Sequence, residues 1–493
     1  MKRLLALLAL VTIFASACSS NNQPASAPQA TNAPAAPAAT AAPAAPAAEI
    51  PTLTWWLIGN QPPNLDEGIA ALNEYTASSI GVKIDLKVAG WGEWSDKITQ
   101  IVNSGESFDI MFTNNTKYNI QASQGAFADI TDLVQTAAPE LYKFIPQNVW
   151  DGTMIKGRTY AVPTYKDSSL TQYWVFEHEF VEKDNIDLSK IKTLADLDAP
   201  FRAMKDGEPN SFYPLILGQS DGFNGLLNSY DDLTMGIPPI GVRVDDASRK
   251  VVSVIEQPDI KDALKLLHTW YQDGIINQDA PTLQEVPKYK PFFPGQGFPG
   301  AEVGWAAEYG VEQYDPVQIF GPIYTTGTIQ GSLNAISSNS KYKEEALKYL
   351  QAVNTDHKLR DMLAFGVEGK DFEYKSANVV KRLTDTWGIG NYAIGTFFVM
   401  STQEGAQEDM WDQVRMLNDK AASSVVLGFA FDMAGLETEV ANCNATWNKY
   451  KNELMTGASD PEAMIPVIVA DLKTAGMDKL MEAAQSQIDA FFQ

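Results

Sequence analysis

The segment 218–222 has the residue types of a hydrolase nucleophile. It consists of Gly-Gln-Ser-Asp-Gly, which matches the G-x-S-x-G pattern, and the apolar stretch 213–217 precedes it. To act as a nucleophile, Ser220 would need a histidine base and a carboxylate that orients this base. The sequence therefore leaves open a secreted serine hydrolase that uses Ser220, and a glycine-rich turn without chemistry as the alternative.

Histidines are scarce, which restricts both general-base catalysis and metal binding, because the chain has only three. His268 falls on the apolar stripe of a predicted helix and His357 at a helix end, and neither position indicates a base held by a carboxylate. His178 stands between Glu177 and Glu179, but adjacent residues of a strand point to opposite faces, which favours a solvated polar edge over a metal site. We therefore predict no catalytic residue, no metal and no cofactor.

Two other patterns could indicate chemistry. The segment 295–300 (GQGFPG) has the letters of a dinucleotide fingerprint, but Pro294, Pro299 and the lack of a predicted strand before it favour a loop. The 61 acidic residues leave room for a carboxylate pair that hydrolyses glycosides, yet no spacing singles out a pair.

The elements that would position a site begin with alternating strand and helix patterns. Residues 52–58 are a continuous apolar run, 82–88 alternate apolar with charged residues, and 108–112 are short and apolar. Between these strands, Asn64 with Glu67 predicts a capping box, and Ser95 is predicted to cap the second helix. This β-α-β-α-β order predicts a parallel sheet that is covered by helices on both faces.

Polar and aromatic residues follow each predicted strand. Ligands of parallel sheets bind at the carboxyl ends of the strands, so these residues should surround one crevice. The candidates in this first part of the chain are Asn60, Trp91, Glu93, Trp94, Asn114 and Asn115.

Short motifs recur along the chain in a fixed order. They are Thr-Trp-Trp at 54–56, Phe-Asp-Ile-Met at 108–111, GAFADIT at 125–131, GRTYAVP at 157–163 and GSLNAIS at 331–337. This order resembles the extracellular solute-binding proteins of bacterial carbohydrate ABC importers, a family that includes maltose-binding protein. Residues 367–372 and the tail after 424 are similar to the LplA-type lipoprotein branch, which carries a C-terminal domain of unknown function.

The resemblance implies an α/β, periplasmic-binding-protein-like clamp of type II, with a ligand cleft between two lobes. The chain of such proteins crosses between the lobes several times. The first lobe is expected to contain 49–163 and 318–365, and the second 164–317 and 366–493, with 424–493 as its helical C-terminal domain.

The resemblance also implies further ligand contacts. Asn114 and Asn115 match the polar pair of the family at a strand end, Trp305 matches its second-lobe aromatic residue, and Trp387 is placed by its order in the chain. Aromatic rings pack on the C–H faces of sugars, and amides and carboxylates bind their hydroxyl groups, although each ring could instead belong to the core. The remaining candidates are Tyr165, Asp167, Glu308 and Tyr309.

These features predict a protein that captures a solute and does not change it chemically. A carbohydrate or oligosaccharide is the expected ligand, and a peptide or another non-sugar solute is the alternative. The resemblance implies a membrane permease and an ATPase as partners.

The N-terminus has the pattern of an export signal. Lys2 and Arg3 precede the apolar run 4–14, which is shorter than the roughly 20 residues that cross a bilayer. Ala-Ser-Ala-Cys at 15–18 resembles the lipobox of bacterial lipoproteins, so 1–17 is predicted to be a signal peptide and Cys18 a lipid-carrying residue. The uncharged Ala/Pro-rich stretch 18–48 is predicted to be a disordered tether, which places the protein outside the cytoplasm at the cell membrane.

The charge of the chain limits its partners. The formal net charge is -24, which argues against nucleic acid because binding to phosphates requires basic surface. Cys443 is the only cysteine besides Cys18, and we expect it to be a small buried residue. We expect a monomer.

Overall fold

The apolar run near the start of the folded chain forms an internal strand of a sheet. The computed structural model describes residues 49–219 and 222–493, so Ser220, Cys18 and the predicted signal and tether lie outside the described residues. Residues 50–493 form one compact unit. Within the described ranges, no helix is long and apolar enough to cross a membrane.

The strands are β1 (Thr52–Asn60), β2 (Lys83–Ala89), β3 (Ile110–Thr113), β4 (Met154–Ile155), β5 (Arg158–Thr159), β6 (Ala161–Pro163), β7 (Leu170–Glu177), β8 (Tyr230–Asp231), β9 (Ile240–Arg243), β10 (Val251–Ser253), β11 (Phe292–Gln296), β12 (Tyr314–Tyr324), β13 (Leu333–Ile336), β14 (Phe372–Ser376), β15 (Val379–Arg382), β16 (Gly388–Ile389), β17 (Thr402–Gln403) and β18 (Ala422–Ser423).

The helices are α1 (Leu65–Ser79), α2 (Trp94–Ser104), α3 (Tyr118–Ser123), α4 (Leu133–Ala137), α5 (Pro139–Phe144), α6 (Gln147–Asp151), α7 (His178–Lys183), α8 (Asp198–Lys205), α9 (Pro258–Gln272), α10 (Ala301–Tyr309), α11 (Thr326–Ile329), α12 (Lys343–Thr355), α13 (His357–Phe365), α14 (Asn391–Ile394), α15 (Met410–Lys420), α16 (Glu437–Met455), α17 (Pro461–Ala475) and α18 (Met477–Phe491).

The first sheet contains the predicted parallel strands. β1 pairs in parallel with β2 and β3, while β13 lies antiparallel between β3 and β6. Ile84 and Leu86 are buried and Lys87 is exposed, which confirms the alternation predicted for β2.

The second sheet has the order β11-β7-β12-β18, and a smaller sheet has the order β10-β9-β8. Two large apolar cores accompany these sheets, one around the first sheet and one around β7, α9 and the C-terminal helices. The fold is therefore a two-lobed α/β structure, and we call the parts around these cores the first and second lobe.

The chain crosses between the lobes several times. Tyr165 packs in the first core and Trp174 in the second, and β12 leads back to the first core at Tyr324. Residues 387–394 also pack in the first core, although 366–493 is predicted to belong to the second lobe, because β16 pairs with the end of β1. A separate small core, which includes Phe365, Phe372, Val380, Phe397 and Met400, lies in the same stretch.

The first helix begins directly after Asn64, as predicted, but neither predicted capping interaction forms. The Asn64 side chain makes no capping hydrogen bond to α1; its amide Nδ2 donates to Asp371 Oδ2 at 2.8 Å, and Glu67 forms an ion pair with Lys370. α2 begins at Trp94, one residue before Ser95, so Ser95 is not its cap. At the first helix a contact distant in sequence replaces the predicted cap, and at the second the helix begins one residue earlier than predicted.

The C-terminal region is helical, as predicted. Met477, Leu480, Ala484 and Ile488 of α18 are buried in the second core, which confirms that their stripe is core packing. Phe491 departs from this prediction because its ring is exposed at the end of the helix. Cys443 is buried and unpaired, as predicted.

Candidate ligand-binding cleft

A polar cavity of about 570 Å³ lies between residues of the two lobes. This volume is within the range of small-molecule sites. Its walls are formed by Asn115, Lys166, Asp167, Leu170, Leu227, Asn228, Tyr230, Asp231, Asp232, Pro238, Ile240, Gln296, Thr325, Gly327, Thr328 and Gly331.

Asn115 contributes to the cavity from the carboxyl end of β3, where the sheet topology predicts a ligand. The preceding residue, Asn114, uses its side chain locally, because its Oδ1 accepts the Thr116 N–H at 3.2 Å and the Thr116 hydroxyl at 2.7 Å. Of this pair, only Asn115 lines the cavity.

Gly327 lies where the polar groups of the two lobes approach each other. A Cβ atom at this position would be 3.8 Å from Asn115 Nδ2 and 3.9 Å from Asp232 Oδ1, which are ordinary contact distances. Gly327 belongs to α11, and its backbone does not require a glycine. The missing side chain therefore leaves space in the cavity.

Asp231 and Asp232 are held by an unusual turn. Asp231 Oδ1 accepts the Leu233 N–H at 3.0 Å, and Asp232 Oδ1 accepts the Thr234 N–H at 3.1 Å. Leu233 and Thr234 have φ angles of 59° and 58°, a conformation that is costly for residues other than glycine and that persists only where its surroundings enforce it. Asn119 of the first lobe donates to the Thr234 hydroxyl at 3.1 Å, which fixes the turn.

Asp231 is the most buried of the acidic residues that line the cavity. Its exposure is 3%. Burial, followed by the adjacent charge of Asp232, raises the pKa of Asp231 to about 6. Burial also raises the pKa of Asp232.

This raised pKa predicts a specific pH dependence of stability. The folded state holds the Asp231 proton more tightly than the unfolded chain does. Ionisation of Asp231 therefore lowers the free energy of unfolding as pH rises from about 4 to about 6, and below about 4 this loss is absent. We expect the change in the free energy of unfolding caused by Asp231→Asn to be more favourable at pH 7.5 than at pH 4.5, by on the order of 2 kcal/mol. Urea denaturation of both proteins at the two pH values measures this difference, and an equal effect at both would contradict it.

Lys166 and Asp167 form the part of the wall where the chain first crosses between the lobes. Lys166 Nζ is 2.5 Å from Asp167 Oδ1, so the two charges compensate each other. Asn418 of α15 holds this crossing, because its Nδ2 donates to the Lys166 carbonyl and its Oδ1 accepts the Ser169 N–H at 3.1 Å.

Among the predicted residues that follow β1 and β2, Trp91 has the largest free aromatic surface. It is 49% exposed and stacks on Tyr392 with a centroid distance of 6.0 Å. Trp94 is buried against Phe112, and the Glu93 carboxylate accepts the Gly90 N–H at 3.0 Å. Asn60 is exposed at the end of β1, opposite Gly388.

Trp305 and its neighbours form a separate aromatic cluster. The half-buried Trp305 ring lies 5.4 Å from Phe293 and 6.4 Å from Tyr173, and it occupies the space that a side chain at Gly297 would need. The Tyr309 ring lies 5.0 Å from that of Phe293, and Glu308 is exposed. None of these residues lines the cavity.

Tyr165 and Trp387 are core residues. Tyr165 is buried with its ring 4.8 Å from that of Phe398. Trp387 is 1% exposed, and its indole N–H donates to the Leu363 carbonyl at 3.0 Å. The order of residues in the chain therefore misplaces Trp387, because this ring has no surface that could contact a ligand.

The sequence patterns missed the acidic turn and the segment 325–331. Asp231 and Asp232 are adjacent acids in a stretch without regular periodicity, and only the tertiary fold brings them opposite Asn115. The small residues between Thr325 and Gly331 could have indicated a close approach of the backbone.

His268 lies on α9 and His357 stands at the start of α13, as predicted, whereas the surroundings of His178 and His357 differ from the prediction. His178 begins α7 instead of lying in a strand, and its Nδ1 is 2.7 Å from Asp315 Oδ2. His357 Nε2 is 3.3 Å from Asp361 Oδ2, so a carboxylate does accompany it. Asp361 and Ser401 are almost completely buried and bond to each other at 2.6 Å, which leaves a substrate no access to this cluster.

The prediction that no strand precedes the segment 295–300 is wrong, because β11 ends at Gln296 and α10 begins at Ala301. This strand runs antiparallel to β7, whereas the strand before a dinucleotide fingerprint belongs to a parallel βαβ unit. The glycine at 297 makes room for Trp305. Among the described residues, no group of three or more His, Cys, Asp or Glu side chains is placed to hold a metal ion.

Comparisons with known proteins agree with this architecture. The family model of the bacterial extracellular solute-binding proteins matches residues 59–357, and that of a domain of unknown function, DUF3502, matches residues 425–493. A carbohydrate ABC transporter substrate-binding protein of Streptococcus pneumoniae is 28% identical over 466 residues, which cover 90% of this chain and 91% of the relative.

Solved structures show the same similarity. The N-glycan transport solute-binding protein NgtS from Streptococcus pneumoniae is 27% identical, with a TM-score of 0.79 and coverage of 90% of this chain and 99% of that chain. Its complex with Man5GlcNAc, also 27% identical, gives a TM-score of 0.72 with coverage of 90% and 98%. With a family match over more than half of its length, the chain belongs to the bacterial extracellular solute-binding proteins.

Proposed function

We propose that this protein captures an oligosaccharide outside the cytoplasm and delivers it unchanged to an ABC permease. The observation that carries the proposal is the polar cavity between the two lobes, which combines Asn115 of the first lobe with Asn228 and Asp232 of the second. Amides and carboxylates are the groups that bind sugar hydroxyls. The relatives support the ligand class, because one is a carbohydrate transporter subunit and another has been solved with Man5GlcNAc.

The cavity gives a mechanism for capture. A ligand bound to one lobe gains further contacts when the second lobe approaches, so it stabilises the closed form by its differential affinity. The closed form would then be recognised by the permease, and a cytoplasmic ATPase would drive release into the membrane channel.

Trp91 is proposed as a stacking surface at the edge of the site. Its ring has one face on Tyr392, and the Tyr392 carbonyl accepts a hydrogen bond of 2.7 Å from the Ser332 hydroxyl, beside Gly331 of the cavity wall. A ring supported in this way offers its exposed face to a sugar at low entropic cost.

A thermal-shift screen tests the proposed ligand class. Man5GlcNAc, other neutral oligosaccharides, amino acids, peptides and divalent metal ions are compared, because a ligand at 100 times its Kd adds about 2.7 kcal/mol to stability. We expect stabilisation by oligosaccharides alone. Stabilisation by peptides only, or chromatographic evidence that an added glycan is cleaved and that Ser220→Ala stops the cleavage, would contradict the proposal.

We further propose that Cys18 carries the lipid anchor of a monomeric protein and that 18–48 acts as its tether. The support is the lipobox-like Ala-Ser-Ala-Cys after a short apolar run and the uncharged Ala/Pro composition that follows. Mass spectrometry of the mature N-terminal peptide is expected to find an acylated Cys18, and cleavage at another position would contradict the anchor.

A further inference from the structure

Negative charges outnumber positive charges in the wall of the cavity, and this excess affects which oligosaccharides can bind there. Of the described residues that line the cavity, Asp167, Asp231 and Asp232 carry carboxylates and Lys166 alone carries a cationic group. Lys166 is already paired with Asp167 at 2.5 Å. Two carboxylates in the wall therefore have no compensating cation.

We propose that the acidic turn at Asp231 and Asp232 selects neutral oligosaccharides and rejects those that carry a carboxylate. The inference rests on the proposed function, since it describes the specificity of the same cavity. It assigns to Asp232, the more exposed of the two, the role of accepting hydrogen bonds from sugar hydroxyls, and to both carboxylates the role of repelling a ligand carboxylate.

The geometry of the turn supports this role. Each carboxylate uses one oxygen to hold the backbone of a left-handed residue, which fixes the acidic turn in the wall of the cavity. Asp232 is the more exposed of the two, and a hydroxyl of a neutral sugar is a donor that its carboxylate can accept. A ligand carboxylate brings no donor and adds a like charge in a site of low dielectric constant.

The remaining polar groups of the wall do not offset this preference. Asn115, Asn228 and Gln296 supply amide groups, and Thr325 and Thr328 supply hydroxyls. These groups carry no positive charge that would offset the two carboxylates, whereas strong sites for carboxylates use the fork of an arginine side chain. Among the described residues, no arginine lines the cavity.

Calorimetric titration with two matched probes tests the proposal. The first probe is Man5GlcNAc, and the second is the same glycan with its primary alcohols oxidised to carboxylates. We expect the full-length folded protein to bind the neutral probe at least 100-fold more tightly, equivalent to about 2.7 kcal/mol. Asp232→Asn should reduce this ratio about tenfold, because asparagine keeps the oxygen that accepts the Thr234 N–H and removes the charge.

Asp231→Asn provides a second variant, and Asp262→Asn on the exposed surface of α9 is the matched control that should leave the ratio unchanged. Equal affinities for the two probes, or a ratio that both cavity variants leave intact, would overturn the proposed selectivity while leaving oligosaccharide capture standing. Failure of every neutral oligosaccharide to bind would overturn the proposed function and this inference together.

Discussion

Replacing Gly327 by leucine is expected to weaken oligosaccharide binding at least 100-fold while leaving the fold intact. The Cβ atom fits at ordinary contact distances from Thr325, Asn115 and Asp232, and the rest of the side chain would fill the space between the lobes. A loss of 100-fold corresponds to about 2.7 kcal/mol. Leucine is also a better helix former than glycine by roughly 0.5 to 1 kcal/mol, so α11 should not be weakened.

Two controls separate occlusion of the cavity from a general effect of substitution. Gly327→Ala adds only the tolerated Cβ and should change affinity by no more than a few-fold. Gly304→Leu places the same large side chain on α10, where the described residues outside that helix have no atom within 4 Å of the new Cβ, and this variant should bind normally. Calorimetry measures affinity and chemical denaturation measures stability. Normal affinity in Gly327→Leu would show that the ligand does not occupy this cavity.

Truncating Trp387 should have the opposite consequence, with a large loss of stability. The ring is buried against Gly68, where even a Cβ atom would lie 2.3 Å from it, and its N–H bond to Leu363 would also be lost. Trp387→Ala is therefore expected to lower the free energy of unfolding by about 3 to 5 kcal/mol, the range for large aromatic truncations in cores. Denaturation with urea measures this change.

Trp91→Ala is the matched control for Trp387→Ala. Because the Trp91 ring is half exposed, its removal should cost less than about 1 kcal/mol of stability, and if the ring stacks on sugar it should weaken binding by about 1 to 3 kcal/mol. If Trp387→Ala instead kept wild-type stability and lost affinity, Trp387 would be a ligand contact and not a core residue.

The sequence predicts the framework better than it predicts the site. Periodicity is sufficient for β2 and α18, because burial of one face determines both patterns. Caps are less predictable because they compete with tertiary partners. Asn64, for example, bonds to Asp371, which lies 307 residues away in the chain.

The aromatic candidates show why the site is harder to predict. Trp91 and Trp94 are three residues apart, yet one is exposed and the other is buried. Trp94 is a predicted ligand contact, but its spacing with Ile98 and Ile101 is helical, and this pattern could have indicated that Trp94 faces the core. For Asp231 and Asp232 no local pattern exists, since the cavity forms only when segments from both lobes meet.

The crystal structure of the protein with the oligosaccharide that gives the largest thermal shift tests the central claim most directly. We expect the ligand between the lobes, with its hydroxyls bonded to Asn115 and Asp232 and its glycosidic bonds intact. A ligand bound elsewhere on the surface, with the cavity free of it, would contradict the account.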